Sequence, residues 1–160
     1  MKALYCGALG VVVGVAGIAQ AQSVKKPVRH DDWARRNLIG AWHLVRIEAP
    51  ALDGKPSNIP QPKGMLIYTR DGHMSVQLMY PKAANIPNNE YVQQGYEASF
   101  GSYDVDEASR TVTHHVQGSI TRDVLVGKDL PRAYQFTKDG HLVIRSASAD
   151  ETWSVTWEHY

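Results

Sequence analysis

The chain has 160 residues with 43% hydrophobic content, which suits one domain around a single core. Its formal net charge is +1, with both signs interspersed along the chain. Nothing in it reads as a nucleic-acid stripe, an acidic tail or a field that steers a charged partner.

Met1-Lys2 is a minimal positive start, and Ala3–Ala19 is nearly all Ala, Gly, Val, Leu and Ile. Ala19-Gln20-Ala21 is a small-x-small cleavage site before the polar run Gln22–Lys26. Residues 1–21 therefore read as a secretory signal peptide cleaved after Ala21, which predicts a periplasmic or secreted protein. The competing reading is a retained anchor. Against it, the apolar run is just short of a spanning length and is interrupted by Gly7, Gly10, Gly14 and Gly17. No stable membrane insertion is expected after cleavage. Cys6, the single cysteine, falls inside the signal. The mature chain then has no disulfide, thiolate nucleophile or Cys-ligated zinc.

Residues 22–37 form a polar, basic lead-in, with one capped helical turn at Asp31–Arg36. Leu38–Glu48 is the first strand. Alternation puts Trp42, Leu44, Arg46 and Glu48 on one face, and Ala41, His43, Val45 and Ile47 on the other. Ala49–Lys63 carries four prolines and an Asp53-Gly54 turn, so it is a loop. Met65–Thr69 and His73–Met79 are joined by Arg70-Asp71-Gly72, a strong hairpin signal. Tyr80–Asn89 is a second loop, followed by a short helix at Glu90–Gln94. Phe100–Val105, the turn Asp106–Arg110 and Thr111–Gln117 make the hairpin that holds the adjacent His114 and His115. Ser119–Leu130 contains a strand at Asp123–Val126. Ala133–Thr137 and Leu142–Ser146 flank a second Asp-Gly turn at Asp139-Gly140. Glu151–His159 is the last strand, with Trp153, Val155 and Trp157 on one face. The result is an all-β antiparallel meander of eight or nine strands, whose edges are best buried by closing into a barrel.

The assembled residues resemble the lipocalin-like domain family of bacterial and fungal proteins over Leu38–Tyr160. The resemblance is carried by LIGAW at Leu38–Trp42 and GMLIYTRDGHMSVQLM at Gly64–Met79. It continues in FGSYDVD at Phe100–Asp106, TVTHHVQGS at Thr111–Ser119 and Trp157-Glu158. It implies an antiparallel barrel of about eight strands over residues 38–160, with a central cavity. It also implies that Trp42 plugs one end beneath a basic side chain of the last strand. Here that place holds His159, with Arg46 or Arg145 as substitutes. Some fungal relatives accompany natural-product pathways, which keeps a cyclase or isomerase role open.

On the His114 hairpin, Val112, His114 and Val116 share one face, opposite Gly101, Tyr103 and Val105. With an apolar interior, His114 and Tyr103 point inward and His115 points out. His114 then hydrogen-bonds a ligand, acts as an acid or base, or is a satisfied barrel histidine. The expected ligand contacts are Trp42, Arg46, Tyr68, Met74, Tyr103 and His114, with Leu78, Met79 and Tyr80 as further wall. An inward Arg46 needs Glu48 or a ligand carboxylate as its partner.

Adjacent strand histidines face opposite sides and cannot share an ion. His73 and His141 follow turns and are expected to be exposed, and no HEXXH or H-x-H motif occurs. No metal, haem or other cofactor is expected. No G-x-S-x-G elbow occurs, and Glu48 and Asp104 read as rim charges rather than a catalytic pair. The expected function is an exported protein that binds a small apolar or amphiphilic molecule in its barrel. The alternatives are a cofactor-independent isomerase, cyclase or hydrolase using His114 and Tyr103, or a barrel packed solid.

Overall fold

The computed structural model describes residues 33–49, 60–84, 86–148 and 150–160. The signal-peptide reading, most of the lead-in and the Asp53-Gly54 turn lie outside them.

A short helix, α1 (Trp33–Leu38), leads into eight strands. These are β1 (Gly40–Glu48), β2 (Lys63–Tyr68), β3 (His73–Met79), β4 (Tyr96–Asp106), β5 (Thr111–Ser119), β6 (Asp129–Phe136), β7 (Leu142–Ser146) and β8 (Ser154–His159). Each pairs antiparallel with its neighbour in sequence, and β8 returns to β1, so the ring is closed. The expected antiparallel barrel is the observed architecture.

The two Asp-Gly turns are built alike. Each follows Thr-x and precedes His, and Gly72 and Gly140 supply φ values of +92° and +87°. In each, the threonine N–H bonds the histidine carbonyl, from Thr69 to His73 and from Thr137 to His141, both at 2.9 Å.

Three local expectations are corrected. The helix at Glu90–Gln94 does not form. Asn89 Oδ1 accepts the N–H groups of Tyr91 and Val92 at 2.8 and 2.7 Å, and a bridge between Gln93 and Tyr96 closes a tight turn instead. The strand at Asp123–Val126 is a 3₁₀ turn over Asp123–Leu125 that buries Leu125. In β1 the register against β8 shifts between Leu44 and Arg46, the signature of a β-bulge. One extra residue flips every later side chain to the other face. Ile47 therefore joins the core, while Arg46 and Glu48 lie exposed outside and bond each other at 3.2 Å.

The core fills one end of the barrel and α1 seals it. Ala34 and Leu38 are buried, and the Ala34 N–H bonds Glu107 Oε1 at 2.8 Å, tying the helix to the β4–β5 turn. Trp42 is 3% exposed, and its indole N–H donates to the Leu38 carbonyl at 2.8 Å. The His159 ring stands edge-on to the indole at 4.6 Å. Gly40 (φ +141°) leaves the space that ring needs, since a Cβ there would sit 2.1 Å from His159 Nε2. The last strand thus covers Trp42 with an imidazole. Arg46 lies outside, and among the described residues the Arg145 side chain bonds Gln135, at 3.5 Å.

Candidate functional site

Side chains stop filling the barrel beyond this sealed end. A cavity of about 170 Å³ lies among the late residues of β1 and β3 and the early residues of β4, β6 and β8. Its wall is mostly apolar, with Leu66, Val76, Leu130, Ile144 and Val155 among the lining residues. These are the inward positions of their strands. Ala49 and Asn89 line it and are exposed, so the cavity reaches the surface there.

His114 is the predicted site residue that lines this cavity. Its Nε2 lies 2.6 Å from the Tyr68 hydroxyl, which packs behind it. Burial pushes the His114 pKa down to about 3, with Arg132 and then His115 adding to the effect, so the ring is neutral. Burial, together with Tyr103, pushes the Tyr68 hydroxyl far up, so it keeps its proton. That hydroxyl has no other acceptor among the described residues, so donation to Nε2 satisfies both groups. The imidazole proton then sits on Nδ1, which is the ring nitrogen left for the cavity.

The other predicted contacts lie elsewhere. Trp42, Met74 and Tyr103 belong to the packed end and do not line the cavity. The Tyr103 hydroxyl donates to the Thr69 carbonyl at 2.9 Å. It is therefore Tyr68, not Tyr103, that partners His114. Arg46 is outside because of the bulge. Met79 is half exposed on the outer face, whereas Leu78 and Tyr80 do line the cavity. Glu48 and Asp104 are engaged separately. Glu48 bonds Arg46 and Ser154, and Asp104 bonds His115. His115 lies on the outer face with Nδ1 2.6 Å from Asp129 and Nε2 3.2 Å from Asp104. The Asp129 hydrogen bond leads in raising its pKa, opposite to the shift at its neighbour.

Two charged cavity groups lie in strand starts beyond the predicted bounds. β6 begins at Asp129 rather than Ala133, which puts Arg132 on the inward face with Leu130 and Tyr134. β4 begins at Tyr96 rather than Phe100, which adds Glu97 and Ser99 to the row of Gly101 and Tyr103. Simple extension of the alternation would have found both.

Arg132 is 7% exposed and lines the cavity. Its guanidinium carbon lies 5.0 Å from the Tyr91 ring and 4.9 Å from the Trp153 ring. Glu151 holds both rings, accepting from the Tyr91 hydroxyl at 3.0 Å and the Trp153 indole N–H at 2.9 Å. Among the described residues no carboxylate lies within salt-bridge reach of Arg132; the Tyr91 hydroxyl is its hydrogen-bond partner, and Glu97 and Glu151 act on it through charge from farther off. Burial pushes Glu97 up to about 7, with Arg132 acting against it. The Trp157 indole nitrogen is buried in the cavity wall with no partner among the described residues.

The model of the lipocalin-like domain family matches residues 39–159, the barrel and its connections. No curated protein matches the chain. Among solved structures the chain is similar to a mutant of the fluorescent protein UnaG. The two share 11% identity at a TM-score of 0.39, over 78% of this chain and 97% of that one. A likeness that distant says nothing about ligand or activity.

Proposed function

This chain belongs to the lipocalin-like domain family, and from that premise we propose that it is an exported binding protein for a small apolar or amphiphilic molecule. The ligand sits in the barrel cavity of the 38–160 domain, after residues 1–21 have been removed. The observation that carries this reading is the unfilled, largely apolar cavity beside a fully packed half of the same barrel. Pockets with an apolar wall and a few placed polar groups are the usual form of small-molecule sites. His114 and Tyr68 act as one hydrogen-bonding unit in its wall, and Trp42, Met74 and Tyr103 support that wall from the packed end.

The enzyme alternative receives less support. A histidine held neutral down to about pH 3 is a weak base, and the Tyr103 hydroxyl is committed to a backbone carbonyl.

Native mass spectrometry of the protein purified from the exported fraction tests the reading. A small co-purified molecule is expected, on a chain that begins at Gln22. A Val76→Trp variant, which fills the cavity, is expected to lose that molecule while staying folded. An empty protein that also takes up no apolar fluorescent probe would sink the proposal.

A further inference from the structure

We propose that the ligand is a small monocarboxylate with a ring-sized apolar body, its carboxylate docked on the Arg132 guanidinium. This rests on the cavity reading above and names the ligand class for it.

A buried cation without a paired carboxylate costs several kcal/mol, so folded chains rarely keep one. Here Arg132 is 93% buried, and two aromatic rings and the carboxylate behind them hold it in place. The ring contacts use the charge, and the Tyr91 hydroxyl engages only one of the five N–H donors. Those donors form a planar fork that matches a carboxylate edge.

A second observation points the same way. His114 also lines the cavity, and its Nδ1–H has no acceptor among the described residues. The wall thus offers the Arg132 fork and an imidazole N–H, a pair that selects a ligand carrying acceptors.

Size narrows the class further. A cavity of roughly 150 Å³ takes a benzene-sized guest, and this one is about 170 Å³. That suits an arylacetate better than a long acyl chain.

Glu97 adds a pH dependence. Around it, Arg132 on β6 is the charged group that acts on it, His114 on β5 is neutral, and Tyr80 and Tyr91 keep their protons. Leu78, its partner on β3, is apolar. Below pH 7 Glu97 is mostly protonated and tolerates or donates to the ligand carboxylate. Above pH 7 its charge competes for Arg132 and repels the ligand.

Titration calorimetry with phenylacetate, phenylacetamide and palmitate on the exported protein, stripped of co-purified molecules, tests this. Phenylacetate is expected to bind about 10- to 100-fold more tightly than its amide, the range of a charge-assisted hydrogen bond. Arg132→Gln is expected to erase that preference, with an unchanged circular dichroism spectrum reporting that the variant is folded. If it does not fold, the acid-to-amide ratio of the wild type decides alone. Phenylacetate affinity is expected to fall up to about tenfold from pH 6 to pH 8, and Glu97→Gln to flatten that slope.

Equal affinity for acid and amide, or palmitate binding as tightly as phenylacetate, overturns the inference and leaves the cavity reading standing. Failure of all three to bind at millimolar concentration overturns the inference, and failure to take up an apolar fluorescent probe as well overturns both.

Discussion

At the sealed end of the barrel, the indole N–H of Trp42 ends on the Leu38 carbonyl at 2.8 Å. At the cavity end, the indole N–H of Trp157 meets no acceptor among the described residues. The two tryptophans are equally buried, at 3% exposure each, and sit on strands that pair with each other. Burial alone therefore does not separate a satisfied polar group from an unsatisfied one. The separating property is whether buried polar atoms have partners. Around Trp42, the helix, His159 and the packed rings close every demand. At the cavity end, an arginine without a carboxylate, an indole N–H and an imidazole nitrogen stay unmatched among the described residues.

Substitutions at the two ends should act on different observables. Trp42→Ala is expected to destabilise the fold by about 3–5 kcal/mol, the usual result of emptying a tryptophan site. Chemical denaturation measures this, and a loss under 1 kcal/mol would mean that the two ends are not built differently.

Glu97→Gln should show a smaller effect that depends on pH. The folded pKa is about 7 against an ordinary 4.5, so Glu97 favours the fold below pH 4.5. That advantage drains away as pH rises to 7. The difference corresponds to at most about 3 kcal/mol. Denaturation midpoints across pH 4–8 should fall less steeply in the variant. His114 has the opposite sign. Its pKa of about 3 lies below the ordinary 6.5, so its contribution is complete above pH 6.5 and is lost on acidification toward pH 3.

The smallest effect belongs to neither end. His115 bonds two aspartates on the outer face, where exposed pairs contribute roughly 0–1 kcal/mol. His115→Gln should shift stability by less than 1 kcal/mol and leave ligand binding unchanged. A change in ligand affinity would show that the inner and outer faces of β5 are coupled.

The barrel itself was legible because its signals are local. Thr-x-Asp-Gly-His occurs twice, and each copy forms the same turn. The alternation around Val112, His114 and Val116 correctly separates the two histidines. The site was less legible for two physical reasons. Arg46 follows the expected face only if β1 is regular, and a bulge is specified by pairing with β8, more than 100 residues away, rather than by its own sequence. Arg132 and Glu97 were overlooked because a charged residue at a strand start looks like loop. Only the wall of a cavity makes an inward charge tolerable, and a cavity is a property of all eight strands together.

Ring closure also sets how the protein must fold. Trp42 pairs with His159 and Leu44 with Trp157, so the last hydrogen-bonded seam joins residues at opposite ends of the domain. Every other seam links strands that are neighbours in sequence and can form early as a hairpin. The β1–β8 seam must instead bring together the ends of a chain of more than 100 residues, a loop-closure entropy that local contacts do not offset in advance. Refolding should therefore be slow for a chain of this size, in the millisecond-to-second range of topologies with distant contacts. Until β8 arrives, the edges of β1 and β7 stand open to other copies of the chain, and that interval is when the molecule is most prone to aggregate.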